Sequence, residues 1–172
     1  MAQTTTGNGQ ETIPGADAAT AQQLIVNAQY ITDLSFENPR APHSLTQQTS
    51  APTVDINVDV NAQNLNPEAY EVVLTIKVNA KVNDEALFLL ELVYGAVVTI
   101  RNTPRDMLPP ILLVETPRLM FPFARNIVAD ATRDGGFPPL MINPIDFTDL
   151  LRRNTAGGAG APAPADTLPS AG

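Results

Sequence analysis

The chain has 172 residues, 44% of them hydrophobic, which is enough for one domain with a sizeable core. It contains no cysteine, and this excludes a disulfide framework and thiolate metal sites. A formal charge of −8 argues against nucleic acid as a partner, because phosphate binding needs a basic patch; a basic protein partner fits an acidic chain better.

Residues 1–21 are small and polar and are expected to form a disordered arm. They carry neither the basic nor the hydrophobic segment of a signal peptide, so cytoplasmic residence is the default expectation. No run approaches the roughly 18 apolar residues that a membrane span needs, and direct membrane insertion is not expected.

A first strand is expected over Ala28–Glu37, where Asp33 and Glu37 share one face. The three prolines of Asn38–Pro52 mark a connection long enough to cross the body of the domain. Val54–Asn61 alternates Val54, Ile56, Val58 and Val60 with Asp55, Asn57, Asp59 and Asn61, a half-buried strand. Tyr70–Ile100 then reads as a long hairpin hinged at Asn83-Asp84. Its first arm has one dry and one wet face. Its second is apolar on both, with Phe88, Leu90, Leu92, Tyr94, Ala96 and Val98 on one side and Leu87, Leu89, Val93 and Val97 on the other. Such a strand must be covered on both sides, by this chain or by another.

Arg101–Pro110 breaks the sheet pattern, and the short apolar run Ile111–Val114 has no readable period. Helical spacing returns over Arg118–Asp134, where Phe123, Ile127 and Ala131 recur alongside Met120 and Val128 and Pro122 falls early. Gly135-Gly136 ends the helix. The prolines of Phe137–Ile142 keep that segment extended. Asn143-Pro144 then opens a shorter helix to about Asn154, with Asp146 and Asp149 at its positive end. The Ala/Pro/Gly-rich tail, residues 155–172, is expected to be disordered. Residues 22–154 therefore form the folded domain. Strands that follow one another before any helix favour an α+β fold with a four-stranded antiparallel sheet and one long and one shorter C-terminal helix.

No catalytic, metal or cofactor site is legible. His43 is the sole histidine, whereas zinc usually takes three or four nitrogen or sulfur ligands. No nucleophile elbow surrounds a serine, and no glycine-rich segment ends in Lys-Ser or Lys-Thr. Asp33 and Glu37, four residues apart on a strand, are about 13 Å apart, wider than a glycosidase pair. A docking face explains them better than acid–base chemistry. A small enzyme on an α+β sheet is thus the weaker reading.

Four segments in one order, TDLSFENPRAPH from Thr32, YEVVL from Tyr70, FLLELVYG from Phe88 and LMFPFARNIVADATRDGGFPPLMINPIDF from Leu119, resemble SecB, the protein-export chaperone family. The resemblance covers about Gln29 to Leu151. It implies an ATP-independent holdase that binds unfolded preproteins, passes them to the SecA motor and assembles as a homotetramer, a dimer of dimers. It places SecA docking on Asp33, Glu37, Leu89 and Glu91, and effects on tetramer assembly on Leu90, Leu92 and Tyr94. It also implies a hydrophobic client groove lined in part by Val54, Ile56 and Val58, with Phe137, Leu140, Ile142 and Phe147 as further walls by position. For Val54, Ile56 and Val58 an ordinary core is the plainer reading. Two relatives of this function stay open, a SecB-like chaperone serving another client system and a non-catalytic structural oligomer.

Overall fold

The computed structural model describes residues 21–46 and 50–157. Strands β1 (Gln23–Glu37), β2 (Thr53–Asn64), β3 (Ala69–Val82) and β4 (Glu85–Arg101) come first. Helices α1 (Leu108–Pro110), α2 (Thr116–Asp134) and α3 (Phe147–Gly157) follow. The strands form one antiparallel sheet, as the succession of elements implies, and their order in it is β1-β4-β3-β2. Residues 1–20 of the expected arm and 158–172 of the expected tail lie outside the described residues. Residues 155–157, assigned to that tail, instead form the last turn of α3.

The β3–β4 hairpin turns at Asn83 and Asp84, both with positive φ, 49° and 64°, the backbone that a tight two-residue connection requires. Their register pairs Ile76 with Leu92 and Lys77 with Glu91, so even residues face one way and odd residues the other. The even side chains Val72, Leu74, Ile76, Leu92, Ala96 and Val98 are buried under the helices. Leu87 departs from the alternation. The register shifts between Ala80 and Lys81, and Leu87 and Phe88 are both buried, although alternation alone puts Leu87 on the opposite side.

β1 begins at Gln23 rather than Ala28. Its register slips between Val26 and Ala28 and again between Ile31 and Asp33. A period of two cannot be read through two such irregularities, and this hid the first part of the strand. The chain then runs from one edge of the sheet to the other past the hairpin tip. There Arg40 pairs with Glu85, the Ala41-Pro42 peptide is cis and Leu45 lies against Gly136.

The apolar run that resisted classification is a π-helical turn, Ile111–Glu115, continuous with α2. Pro117 has no N–H to give the carbonyl of Leu113, and the Thr116 hydroxyl donates instead to the Ile111 carbonyl at 2.9 Å. The buried stripe of α2 is Met120, Ala124, Val128 and Thr132, while Phe123, expected on the inner face, is 55% exposed. Ala124 is fully buried, and its small side chain permits close helix–sheet contact. The positive φ at the helix end belongs to Gly136, at 89°; Gly135 is required because the Phe36 ring occupies the space a Cβ would need. At α3 the Asp146 carboxylate accepts the N–H groups of Asp149 at 3.1 Å and Thr148 at 2.9 Å. These bonds hold it below the ordinary carboxylate range and start the helix.

Leu92 is fully buried at the centre of the core. Leu92→Ala is expected to lower the unfolding free energy by about 2–5 kcal/mol, read from urea titration, because the rigid sheet cannot collapse into the cavity.

Candidate functional site

Alternation along β4 leaves the odd face of the sheet uncovered. On that face the register sets Glu37 beside Leu89, Ser35 beside Glu91 and Asp33 beside Val93. Asp33, Glu37, Leu89 and Glu91, expected to dock a partner, therefore come together on two adjacent strands. The row extends through Asn79 and Lys77 of β3 to Asp55 and Asn57 of β2. All of these except Asp33 and Val93 line a shallow depression of ≈ 520 Å³ with Leu89, 38% exposed, as an apolar contact in a polar field.

Electrostatics divides this patch. Lys77 Nζ lies 3.0 Å from Glu91 Oε1, so Glu91 is already paired, while Asp33, Glu37 and Asp55 make no ion pair among the described residues. An exposed pair of this kind contributes at most about 1 kcal/mol and can be exchanged for a better partner. The patch thus offers unpaired carboxylates and one lysine–glutamate pair that a basic ligand can open.

The far half of the same face carries a polar chain that sequence reasoning missed. Tyr30 of β1 lies flat over Gly95 of β4, where an added Cβ would come 2.7 Å from the ring. The tyrosine hydroxyl donates to Glu71 of β3, and Gln63 of β2 donates to the other oxygen of the same carboxylate. All four strands are linked across this face. The bond from Tyr30, then that from Gln63, holds Glu71 below its usual range, and the bond to Glu71 raises Tyr30 above its own. Gly95 was the available signal, because a glycine inside an apolar strand marks a close approach.

On the helix side the expected groove residues separate. Phe147 is 1% exposed and Ile142 is 5% exposed, so both belong mainly to the core. Val54, Val58, Phe137 and Leu140 are half-buried and pack against it, and Ile56 is 40% exposed. A groove runs between Ile56 and Val58 of β2, Ile142 and Ile145 of the α2–α3 connection, and Leu150 of α3, with Arg153 at its rim. Ile145 and Leu150 were not anticipated, because nothing local shows that the connection turns back along β2. Phe137 joins an aromatic cluster, its ring 4.9 Å from Phe88 and 6.4 Å from Phe36, which itself stacks on Phe88 at 5.5 Å.

Leu90, Leu92 and Tyr94 are not at the surface. They are 2%, 0% and 7% exposed within the chain itself, and burial raises the Tyr94 phenol above its usual range. Alternation placed them correctly on the even face, but this chain's own helices cover that face. Exposed apolar side chains on the helix side are instead Ile31 and Leu34 of β1 and Leu119 and Phe123 of α2. His43 is exposed in the β1–β2 crossing, and no group of three or more metal-ligating side chains occurs among the described residues.

A family model described as "Preprotein translocase subunit SecB" matches residues 17–157. The chain belongs to the SecB family. SecB relatives described as protein-export proteins are closely similar. That of Afipia carboxidovorans is 52% identical over 84% of this chain and 90% of its own length. That of Paramagnetospirillum magneticum is 56% identical over 78% and 86%. Among solved structures, a SecB-like chaperone of Mycobacterium tuberculosis in complex with a peptide from an antitoxin superposes with a TM-score of 0.60. It is 14% identical and is covered over 90% of its length, against 71% of this chain, so the likeness is one of fold. SecB is a non-enzymatic chaperone family of protein export. No described helix is long and apolar enough to cross a membrane.

The Tyr30–Glu71 bond carries a pH dependence of known sign. Glu71 is depressed in the fold, so its contribution is present above its unfolded pKa and is lost as pH falls through the folded value. Tyr30→Phe is expected to cost about 0.5–1 kcal/mol at pH 7, small because both groups are partly in water, and the difference should narrow below pH ~4. Urea midpoints of both proteins at pH 7 and pH 3 measure it; an equal gap at both would contradict the assignment.

Proposed function

We propose that this chain is an ATP-independent holdase that keeps preproteins unfolded in the cytoplasm and delivers them to SecA. The observation that carries the reading is the separation of two surfaces on one sheet: an apolar groove on the helix side and an acidic open face with one exposed leucine on the other. A holdase must recognise what unfolded chains share, which is apolar side chains. Burying one large side chain is worth about 1.5–3 kcal/mol, whereas micromolar binding needs roughly 8 kcal/mol net. One groove is therefore weak, and a client that spans several subunits gains through effective concentration.

This supports assembly as a dimer of dimers. Ile31, Leu34, Leu119 and Phe123 are the surface best suited to it, because large exposed side chains on a strand and a helix of one side are those a second copy can bury. Leu90, Leu92 and Tyr94 act on assembly indirectly, by fixing the sheet from which that surface projects. Phe123→Glu is expected to reduce the mass measured by light scattering while the far-UV spectrum stays native. An unchanged mass would remove α2 from the interface.

SecA docking is assigned to Asp33, Glu37, Leu89 and Glu91. The double substitution Asp33→Lys, Glu91→Lys is expected to weaken SecA binding at least tenfold at low salt, with assembly and client binding retained. Calorimetric titration measures it, and unchanged affinity would move docking elsewhere. Suppression of aggregation of an unfolded preprotein tests the holdase reading itself, which fails if the purified protein leaves aggregation unaltered. The antitoxin-bound relative keeps a second client system in view, but identity near 50% lies with the protein-export relatives.

A further inference from the structure

Three polar side chains are buried among the described residues: Ser44, Thr116 and Thr132. Ser44 bonds to Asn38 within its own loop, and Thr116 bonds to a carbonyl of its own helical stretch. Thr132 differs. Its hydroxyl lies 3.0 Å from the carbonyls of both Val128 and Ala129, to which its single hydrogen is donated, and a lone pair is left to accept the N–H of Leu140 at 2.9 Å. The Thr132 carbonyl also accepts the N–H of Phe137 at 3.1 Å. Pro138 and Pro139 have no N–H, so the donors that flank them on both sides are held by this one residue.

A valine would fill the same space in the core without a polar atom to satisfy. The hydroxyl therefore needs a reason beyond packing, and its reach outside α2 supplies one. The segment it holds leads directly into Ile142 and Ile145, one wall of the groove that faces Ile56 and Val58.

We infer that Thr132 is a positioning residue for client binding: its buried hydroxyl fixes the Phe137–Leu140 segment on α2 and thereby sets the groove wall at the distance a bound chain needs. The inference rests on the reading of that groove as the client site.

The test compares Thr132→Val, which keeps shape and removes the hydroxyl, with Thr132→Ser, which keeps the hydroxyl and removes a methyl. Client affinity is measured for one unfolded preprotein by fluorescence titration, together with hydrogen exchange at the Leu140 amide. Thr132→Val is expected to raise the client Kd about fivefold or more and to speed exchange at Leu140 by a larger factor, since a half-buried N–H loses its acceptor. Thr132→Ser is expected to restore both, and SecA affinity to stay constant throughout, because docking uses the other face. Equal loss in Val and Ser variants, or faster exchange with unchanged client affinity, overturns the positioning role. Ile56→Asp, on the opposite wall, separates the two readings. If it weakens client binding while Thr132→Val does not, the groove stands and the inference falls; if it has no effect, the groove reading fails and the inference fails with it.

Discussion

Everything in this fold depends on the alternation of side chains across the β3–β4 hairpin, interrupted at Leu87. The two strands occupy the middle of the sheet, so each has a hydrogen-bonded neighbour on both edges and its backbone is satisfied irrespective of side chain. Side chains are then free to differ by face. Even residues from Val72 to Val98 supply a continuous apolar surface on which α2 and the π-helical turn lie. Odd residues, from Glu71 and Lys77 to Leu89 and Glu91, lie on the opposite face, with Leu87 at the bulge the exception. With all the helices placed after the strands in the chain, one layer is available to cover the sheet, and one face must remain open.

That constraint explains what the sequence could and could not disclose. The hairpin, β2, the extended proline segment and the order of elements were legible because each has its own period or turn chemistry. The burial of Leu90, Leu92 and Tyr94 inside the chain was not. Alternation assigns residues to a face but does not say whether that face is covered from within or by a neighbour, and the helical stripe that decides it is misleading. Phe123 is the largest apolar residue on α2's expected inner face, yet Ala124 occupies the contact and Phe123 remains outside. Close helix–sheet packing favours the small residue, and hydrophobicity counted by period cannot see that.

Irregularities carried information of another kind. Two register slips in β1 hide its first turns from a period-two reading, yet they swing Tyr30 over Gly95 to reach Glu71. The bulge at Leu87 turns an extra apolar side chain inward beside Phe88 and the aromatic cluster with Phe36 and Phe137. In each case the departure from alternation places a side chain where an ideal strand could not. Asp33, Glu37, Leu89 and Glu91 come together on the open face because all four lie in regular stretches beyond these slips.

The same alternation lets the two proposed binding surfaces share very little protein. Phe36 and Glu37 are adjacent in sequence, as are Phe88 and Leu89, and in both pairs the first residue faces the aromatic cluster while the second faces the acidic patch. Only the thickness of one strand separates them. A substitution at Glu37 or Leu89 alters an exposed side chain on the open face, away from the packed layer. A substitution at Phe36 or Phe88 disturbs rings that contact each other, Gly135 and Phe137, and through them the segment held by Thr132. Sequence neighbours therefore divide by face into residues exposed to a partner and residues fixed by the core, and the pleat itself lets the two proposed surfaces change independently.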